Sequence, residues 1–550
     1  MTVSKKVKAY FNWKLVFILI VIISLALRLV FLSSIPPSLH ADEADAGYSA
    51  YSIGKTLQDQ YGNFLPLSFQ DNHRAPLFIY VLIPSVFIFG LDAFAVRLPS
   101  ALFGTLTVIL LFYLTYYLFK DRRISLLASF LAGINPWLIQ LSRTGLEESL
   151  SLFLVLAGIV SFLYASNKRW YLYFISCLAL TLSLFSYHAP KIFLPLFLPV
   201  LFMYKIRDGS ILSKEKKYLI YFVVIFVIFY AVSFGMLMAN GAEKFNDTSI
   251  FSSAKIKQSI DSERHLSVAP LGLSSIFHNK VTYSIKRLET QFFGVFSLNY
   301  LFINGESNLD KGVGNHGQFY IFELPLFFIG LYFIFKKKKI FVLLFFWLLA
   351  GAFPGGLTNT GYYAYRDLLL IPVFIMASSV AVICVFDLIR KDNRMYKIIL
   401  GVSVLLALVY ITSYLFTYFF DYPVYSRDWW GYGQKEGLRY AVINQGKYNK
   451  IFVDGGLDWP ILYAFYNKID PEKFQNSFET KVYFNNNEYI KIDKFYFGNI
   501  EKSATMSASE ILGRNVMYIG QVSSFPNITP IYRIFSPDGV NVNDNILIIK

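Results

Sequence analysis

The chain alternates long apolar runs with short basic clusters at one set of boundaries and acidic or aromatic segments at the other. Eleven runs approach the ~20 mainly apolar residues that a membrane-crossing helix needs. They cover residues 14–32, 97–119, 124–141, 148–165, 170–187, 190–204, 218–240, 319–335, 340–353, 362–386 and 397–420. Those at 190–204 and 340–353 are short and need flanking residues or a locally thin bilayer. A further apolar segment, 76–90, fails a parity test: as a span it would move Lys120–Arg123 and every later basic cluster to the wrong side. Placed as an interfacial or re-entrant helix within a first outer loop, 33–96, it leaves Lys5-Lys6-Lys8, Lys120–Arg123, Lys168-Arg169, Lys205–Lys217, Lys336–Lys339 and Arg390–Lys397 all cytoplasmic. The N-terminus is then inside and the C-terminus outside. Counting apolar segments in the outer loops as spans would raise the number to thirteen.

Two more outer regions follow from this topology. Residues 241–318 form a long polar loop, and residues 421–550 have a soluble composition. Strand-like runs at Lys450–Val453, Tyr489–Ile492 and Val516–Ile519, separated by Gly, Asn and Asp, predict a small α/β domain there. The fold class is therefore an all-α polytopic membrane body, residues 1–420, with an extracytoplasmic α/β domain, residues 421–550. Composition agrees: 55% of the residues are hydrophobic and 18% aromatic, with 55 Phe and 39 Tyr. The net charge of +15 lies in the loop clusters, so it marks topology and not a nucleic-acid partner. Cys177 and Cys384 each sit inside an apolar run and define no disulfide framework.

The outer boundaries carry the candidate chemistry. His40-Ala41-Asp42-Glu43-Ala44-Asp45 sets three carboxylates close to the end of the first helix, where mutual repulsion suits a proton acceptor or a cation site. The same residues would also serve as a solvated helix cap, with Asp42 capping a short interfacial helix. Arg143, followed by Glu147 and Glu148, fits a guanidinium fork that holds a phosphate, or equally a snorkelled ion pair. His188 and Lys191 near one helix end, and Tyr365 with Arg366 near another, place cations beside rings at headgroup depth. Such cations suit a lipid phosphate or an anchor for anionic lipid. Arg28 and Arg97 read as structural. No P-loop, dinucleotide fingerprint, H-E-x-x-H or paired C-x-x-C is present. Nucleotide-sugars are cytoplasmic, so an outward-facing site implies a donor carried by a lipid.

Four motifs in order carry a family likeness: Asp42-Glu43, Arg74-Ala75-Pro76-Leu77, Val96-Arg97 through Gly104, and Leu141-Ser142-Arg143 with Glu147-Glu148. Over roughly residues 14–200 the chain resembles the protein O-mannosyltransferase family, and equally the related bacterial enzymes that move aminoarabinose or other sugars from undecaprenyl phosphate. Tyr365-Arg366-Asp367 and the following Leu-Leu-Leu-Ile-Pro372 echo a family motif more loosely. The resemblance implies a GT-C fold, a polyprenyl-phosphate sugar donor and inversion at the anomeric carbon. It implies Asp42 as catalytic base with Glu43 as its partner, and Arg143 on the donor phosphate. Lys191 and Arg366 are further phosphate contacts; Glu147, Glu148, His188, Arg74 and Tyr365 support the site. Arg74-Ala75-Pro76 departs from the His-Pro-Pro that many relatives show, which weakens the case for a protein acceptor in particular. No MIR-type repeat is evident, which sets the chain apart from the eukaryotic protein-modifying branch.

The expected function is sugar transfer from a polyprenyl-phosphate carrier to an extracytoplasmic glycan, lipid or protein, in the plasma membrane and among membrane lipids. No cofactor is required, and no ligand spacing indicates a metal, although His40 beside carboxylates leaves a divalent ion open. Two other classes fit a basic polytopic chain: a lipid or glycan transporter or flippase, and a non-catalytic envelope assembly protein. A transporter calls for ionisable groups or broken helices at the midplane and a repeated half, and neither pattern is visible.

Overall fold

The computed structural model describes residues 12–69, 74–207, 215–240, 249–250, 253–359, 361–389, 393–456, 458–479, 481–484, 487–499, 512–520, 529–539 and 542–549. The Lys5-Lys6-Lys8 cluster, Arg390 and part of the Lys205–Lys217 cluster lie outside the described residues.

Each expected run contains a helix. The first ten helices are α1 (Trp13–Leu29), α2 (Ala41–Thr56), α3 (Leu77–Phe89), α4 (Ala93–Phe119), α5 (Arg122–Ile134), α6 (Pro136–Arg143), α7 (Glu148–Tyr164), α8 (Tyr171–Leu184), α9 (Ala189–Arg207) and α10 (Lys216–Asn240). Three helices cross the 241–318 region: α11 (Ser253–His265), α12 (Leu271–Phe277) and α13 (Lys280–Gly294). The membrane body closes with α14 (Glu323–Phe335), α15 (Lys338–Gly356), α16 (Ile371–Ile389) and α17 (Asn393–Phe416). Among the described residues six helices are long and apolar enough to cross a bilayer, or seven when α5 and α6, bent by 53°, count as one span. The protein is thus a multi-pass membrane protein. The break between α5 and α6 follows from Asn135-Pro136: the Pro136 ring cannot continue a helix, while the Asn135 side chain accepts from the Leu138 amide at 2.9 Å and restarts one. At 13 residues, α3 is about 20 Å long, shorter than the hydrocarbon core. It packs between α2 and α4.

The basic clusters collect at one end of the bundle. Arg123 forks onto Asp387 at 2.8 Å, and the Lys339 ammonium donates to the Arg207 carbonyl at 2.8 Å. The other end bears the α/β domain. Its short helices are α18 (Tyr422–Tyr425), α19 (Tyr432–Asn444), α20 (Asp458–Tyr466) and α21 (Pro471–Glu479). Its strands are β1 (Lys450–Asp454), β2 (Lys481–Phe484), β3 (Asn487–Ile492), β4 (Phe495–Gly498), β5 (Val516–Gly520), β6 (Tyr532–Phe535) and β7 (Val542–Ile549). They form one mixed sheet in the order β2-β3-β4-β1-β5-β7-β6, in which β1 runs parallel to both β4 and β5.

The domain is welded to the first loop. A single apolar core joins Tyr48, Ile53 and Phe78 of the loop to Phe465, Phe474 and Ile451 of the domain. The close approach of α2 and α20 requires Gly47, because a β-carbon there would sit 2.8 Å from the Phe465 ring. Tyr48 donates to the Ile469 carbonyl at 2.9 Å.

Candidate active site

The N-terminus of α2 organises the site. His40 is its cap: the ring Nδ1 accepts from the Asp42 amide at 3.2 Å, and Glu43 Oε2 accepts from the His40 amide at 3.0 Å. Asp42 and Glu43 therefore stand in the first turn, where the helix dipole favours negative charge. The cap is His40 and not Asp42. Adjacent positions on a helix point about 100° apart, and the two acids diverge accordingly.

Asp42 faces a cavity of about 820 Å³ at the domain-bearing end of the bundle. Its Oδ1 lies 2.9 Å from Arg74 Nη2, and Oδ2 lies 3.5 Å from His40 Nδ1. Arg74 is the hub of the acidic wall. Besides Asp42 it reaches Asp45 at 3.6 Å and Glu147 at 4.0 Å, and it donates to the Asp42 carbonyl at 2.6 Å. Burial opposes its charge, but the carboxylates of Asp42, Glu147, Asp45 and Glu148 outweigh that cost and raise its pKa. Glu148, almost fully buried, lines the same wall.

Cations and rings line the same cavity beside these acids. His188 and Lys191 come from the start of α9, and Tyr365 and Arg366 from the loop before α16. Arg366 lies over the Tyr363 ring at 4.4 Å and donates to Thr358 Oγ1 at 2.9 Å. Lys311 is paired with Asp310 and lies 5.3 Å from the Tyr363 ring. Tyr365 donates to the Asp310 carbonyl at 2.9 Å, and Trp137 Nε1 to the Ala364 carbonyl at 2.9 Å, so the loop is pinned from two sides. Away from these charges the cavity turns apolar, between Pro195 and Leu196 of α9, Phe234 and Leu237 of α10, and Phe353 and Pro354 of α15.

Eight of the ten residues expected in the site line this one cavity: Asp42, Arg74, Glu147, Glu148, His188, Lys191, Tyr365 and Arg366. Two do not, and each has a structural reason. Glu43 is fully buried on the other side of α2, taking Arg97 Nε and Nη2 at 2.9 Å each and the Gly145 amide at 2.6 Å. Arg97 in turn donates to the carbonyls of Leu32, Pro36 and Ser38. The pair ties the first loop to α4 and to the α6–α7 turn. Arg143 is likewise turned inward: it donates to the carbonyls of Leu27 at 2.8 Å and Ile35 at 2.9 Å, and lies against the rings of Tyr418 and Phe419. Arg143 is not among the residues that line the cavity. The residues that sequence reasoning left out of the site are Asp45, Lys311 and Asp310. Asp45 stood in the acidic triplet, whereas Asp310-Lys311 sits in a Gly-rich loop with no spacing that signals a site.

The chain is similar to known proteins in part of its sequence and in its fold. Residues 73–234 match the family model of dolichyl-phosphate-mannose-protein mannosyltransferase. Over those residues the chain is similar to that family of glycosyltransferases. The fold matches that of ArnT from Cupriavidus metallidurans in the apo state, with a TM-score of 0.53 at 12% identity over 96% of this chain and 97% of that one. ArnT from the same organism bound to undecaprenyl phosphate matches with a TM-score of 0.51, again at 12% identity over 96% and 97% of the two chains. The apo oligosaccharyltransferase of Archaeoglobus fulgidus matches with a TM-score of 0.51 at 15% identity, over 83% of this chain and 64% of that one. This chain thus spans under two thirds of the archaeal enzyme's length. Among curated proteins no sequence match is found.

Proposed function

We propose that the protein transfers a sugar from a polyprenyl phosphate to an acceptor on the extracytoplasmic side of the plasma membrane, with inversion at the anomeric carbon. The observation that carries this reading is the two-part cavity: charged at the headgroup end, apolar between α9, α10 and α15, and matched to a molecule with a phosphosugar head and a hydrocarbon tail. ArnT of the same fold has been solved with undecaprenyl phosphate bound, which supports a lipid of that class here. In this reading residues 1–420 form the body, crossing the bilayer about eleven times from a cytoplasmic N-terminus, and residues 421–550 lie outside.

The chemistry follows from the acids and cations that share this cavity. The acceptor hydroxyl or amine attacks C1 of the sugar from the face opposite the phosphate and passes its proton to Asp42, which is held in place by Arg74 and the His40 cap. The bond from C1 to the phosphate oxygen breaks, and the electron pair leaves on the lipid phosphate. Lys191, Lys311 and Arg366 meet the charge that grows there. Positioning does much of the rest, since the tail slot and the cation wall fix the sugar against the base. The test is to incubate purified protein in lipid with a panel of polyprenyl-phosphate sugars and to measure release of the free lipid phosphate together with labelled acceptor. Release that depends on Asp42 is expected. Turnover fully retained in Asp42→Asn would remove Asp42 as the base.

A further inference from the structure

A second cavity opens on the other side of the α2 N-terminus. It has a volume of about 570 Å³ and is bounded by His40 and Ala41, the segment Arg427–Gln434, and the strand ends at Asp454 and Gly520. His40 and Ala41 border this space while the next residue, Asp42, borders the donor cavity, so the two spaces share α2 as a wall. Its size falls within the ~300–1,000 Å³ of ordinary ligand pockets.

Its place in the sheet is that of a binding crevice. β1 has parallel neighbours on both sides: the chain leaves β1 for the β2-β3-β4 side, then returns to β5 on the other. Ligands in open α/β sheets bind beyond the carboxyl ends of the strands at such a switch point, and Asp454 and Gly520 are the carboxyl ends of β1 and β5. The site is also shaped by glycine: a β-carbon at Gly455 would sit 2.3 Å from the Trp459 indole nitrogen, so the strand end stays open only with that residue bare.

We propose that this cavity binds the saccharide part of the acceptor; the proposal rests on the transferase reading above for the word acceptor, but not for the binding itself. Trp429, 43% exposed, supplies a flat apolar face, with the buried Trp459 behind the strand end. Asp428, Asp454, Asp458 and Gln434 surround them with acceptors for hydroxyl protons, and Arg427 and His40 add donors. A pyranose ring needs that combination: its C–H face packs on an aromatic ring while its hydroxyls point to the rim. A peptide captured by strand addition would need an edge strand, and the edges here are β2 and β6, whereas the cavity lies at the ends of central strands. A saccharide seated there would lie against the α2 N-terminus at His40 and Ala41.

The experiment uses the full chain in nanodiscs. Calorimetric titration with mannotriose, with chitotriose and with a Ser/Thr-rich peptide is run on the wild type, Trp429→Ala and Asp458→Asn. Undecaprenyl phosphate binding and the unfolding midpoint serve as controls. Expected is binding of at least one oligosaccharide, weakened at least tenfold in both variants, with undecaprenyl phosphate binding and midpoint unchanged. The proposal is overturned if the wild type binds neither oligosaccharide, binds the peptide instead, or binds sugars equally well in both variants. If no lipid-linked sugar supports transfer yet the two variants still lose oligosaccharide, the transferase reading fails and the cavity assignment stands.

Discussion

Asp42 and Glu43 are neighbours in sequence and opposites in structure, and substituting each separately tests the whole arrangement. The Asp42 side chain is 38% exposed, faces the cavity and pairs with Arg74 at 2.9 Å and with His40 at 3.5 Å. Partly exposed pairs are worth roughly 0–1 kcal/mol, so Asp42→Asn should leave the unfolding midpoint within a few degrees of wild type. A positioned general base contributes about 10²–10⁴-fold, so kcat should fall by that factor, equivalent to about 3–5 kcal/mol of barrier. Glu43 is wholly buried and accepts bonds from Arg97, His40 and Gly145. Glu43→Leu leaves the Arg97 guanidinium buried without its counter-charge, which costs about 3–5 kcal/mol of stability. The assay pairs lipid phosphate release with a thermal unfolding scan in detergent. A stable, inactive Glu43→Leu protein alongside an active Asp42→Asn protein would reverse the assignment and refute the reasoning.

The remaining predictions probe the cation wall, the buried acids and the charge supply. Arg366→Ala should raise the donor KM about ten- to a hundredfold, the loss of a charge-assisted hydrogen bond of ~1.5–3 kcal/mol, with an unchanged midpoint; Arg143→Met should do the reverse, lowering the midpoint with little change in donor KM for the protein that folds. Burial raises the pKa of Glu306 above its ordinary 4.5, against the hydrogen bonds from Ala364 and Asn308. The folded state therefore holds this proton more tightly than the unfolded state, and the stability it contributes is lost as pH rises above 4.5 through the folded value. Glu306→Gln should flatten that decline in the unfolding midpoint; a parallel pH curve for the variant would contradict it. Because Arg74, Lys191, Lys311 and Arg366 already supply positive charge around the cavity, chelation with EDTA should leave turnover within about twofold; a loss restored by Mg²⁺ would place an ion among the carboxylates.

Apolar runs and basic clusters are one-dimensional signals, which is why the helices were legible in the sequence. Each expected run holds a helix because no other structure satisfies its backbone in lipid. Parity then placed residues 40–45, 143–148, 188–191 and 365–366 at one end, and all four segments lie there. What the sequence could not convey is the direction of each side chain. Asp42-Glu43 looks like a pair of equals, yet one step along a helix turns them about 100° apart, one to the cavity and the other to Arg97. Arg143 has the residue type and the depth of a phosphate ligand, but the Asn135-Pro136 break tilts α6 so that its guanidinium meets the carbonyls of Leu27 and Ile35. Lys311 was invisible for the converse reason: its loop is drawn over the site by tertiary bonds from Tyr365 and Tyr422 to the carbonyls of Asp310 and Leu309.

The placement of α2 also ties the α/β domain to the proposed site. The helix that carries Asp42 buries Ala44, Ala46, Tyr48, Ala50 and Ile53 in a core whose other half is supplied by α20, α21 and the sheet. Tyr466, whose phenol is pushed up to about 12 by burial, bonds Ser38 Oγ at 3.0 Å in the residues leading to the cap. Removing the domain would strip the apolar partner from one face of α2. A helix of 16 residues is marginal without tertiary packing, so its first turn would lose its fixed direction. A base that must sit within hydrogen-bond reach of the attacking atom tolerates little such freedom. Asp42, the proposed base, therefore depends on contacts nearly 430 residues away in sequence, through Ser38 and Tyr466, as well as on its own helix.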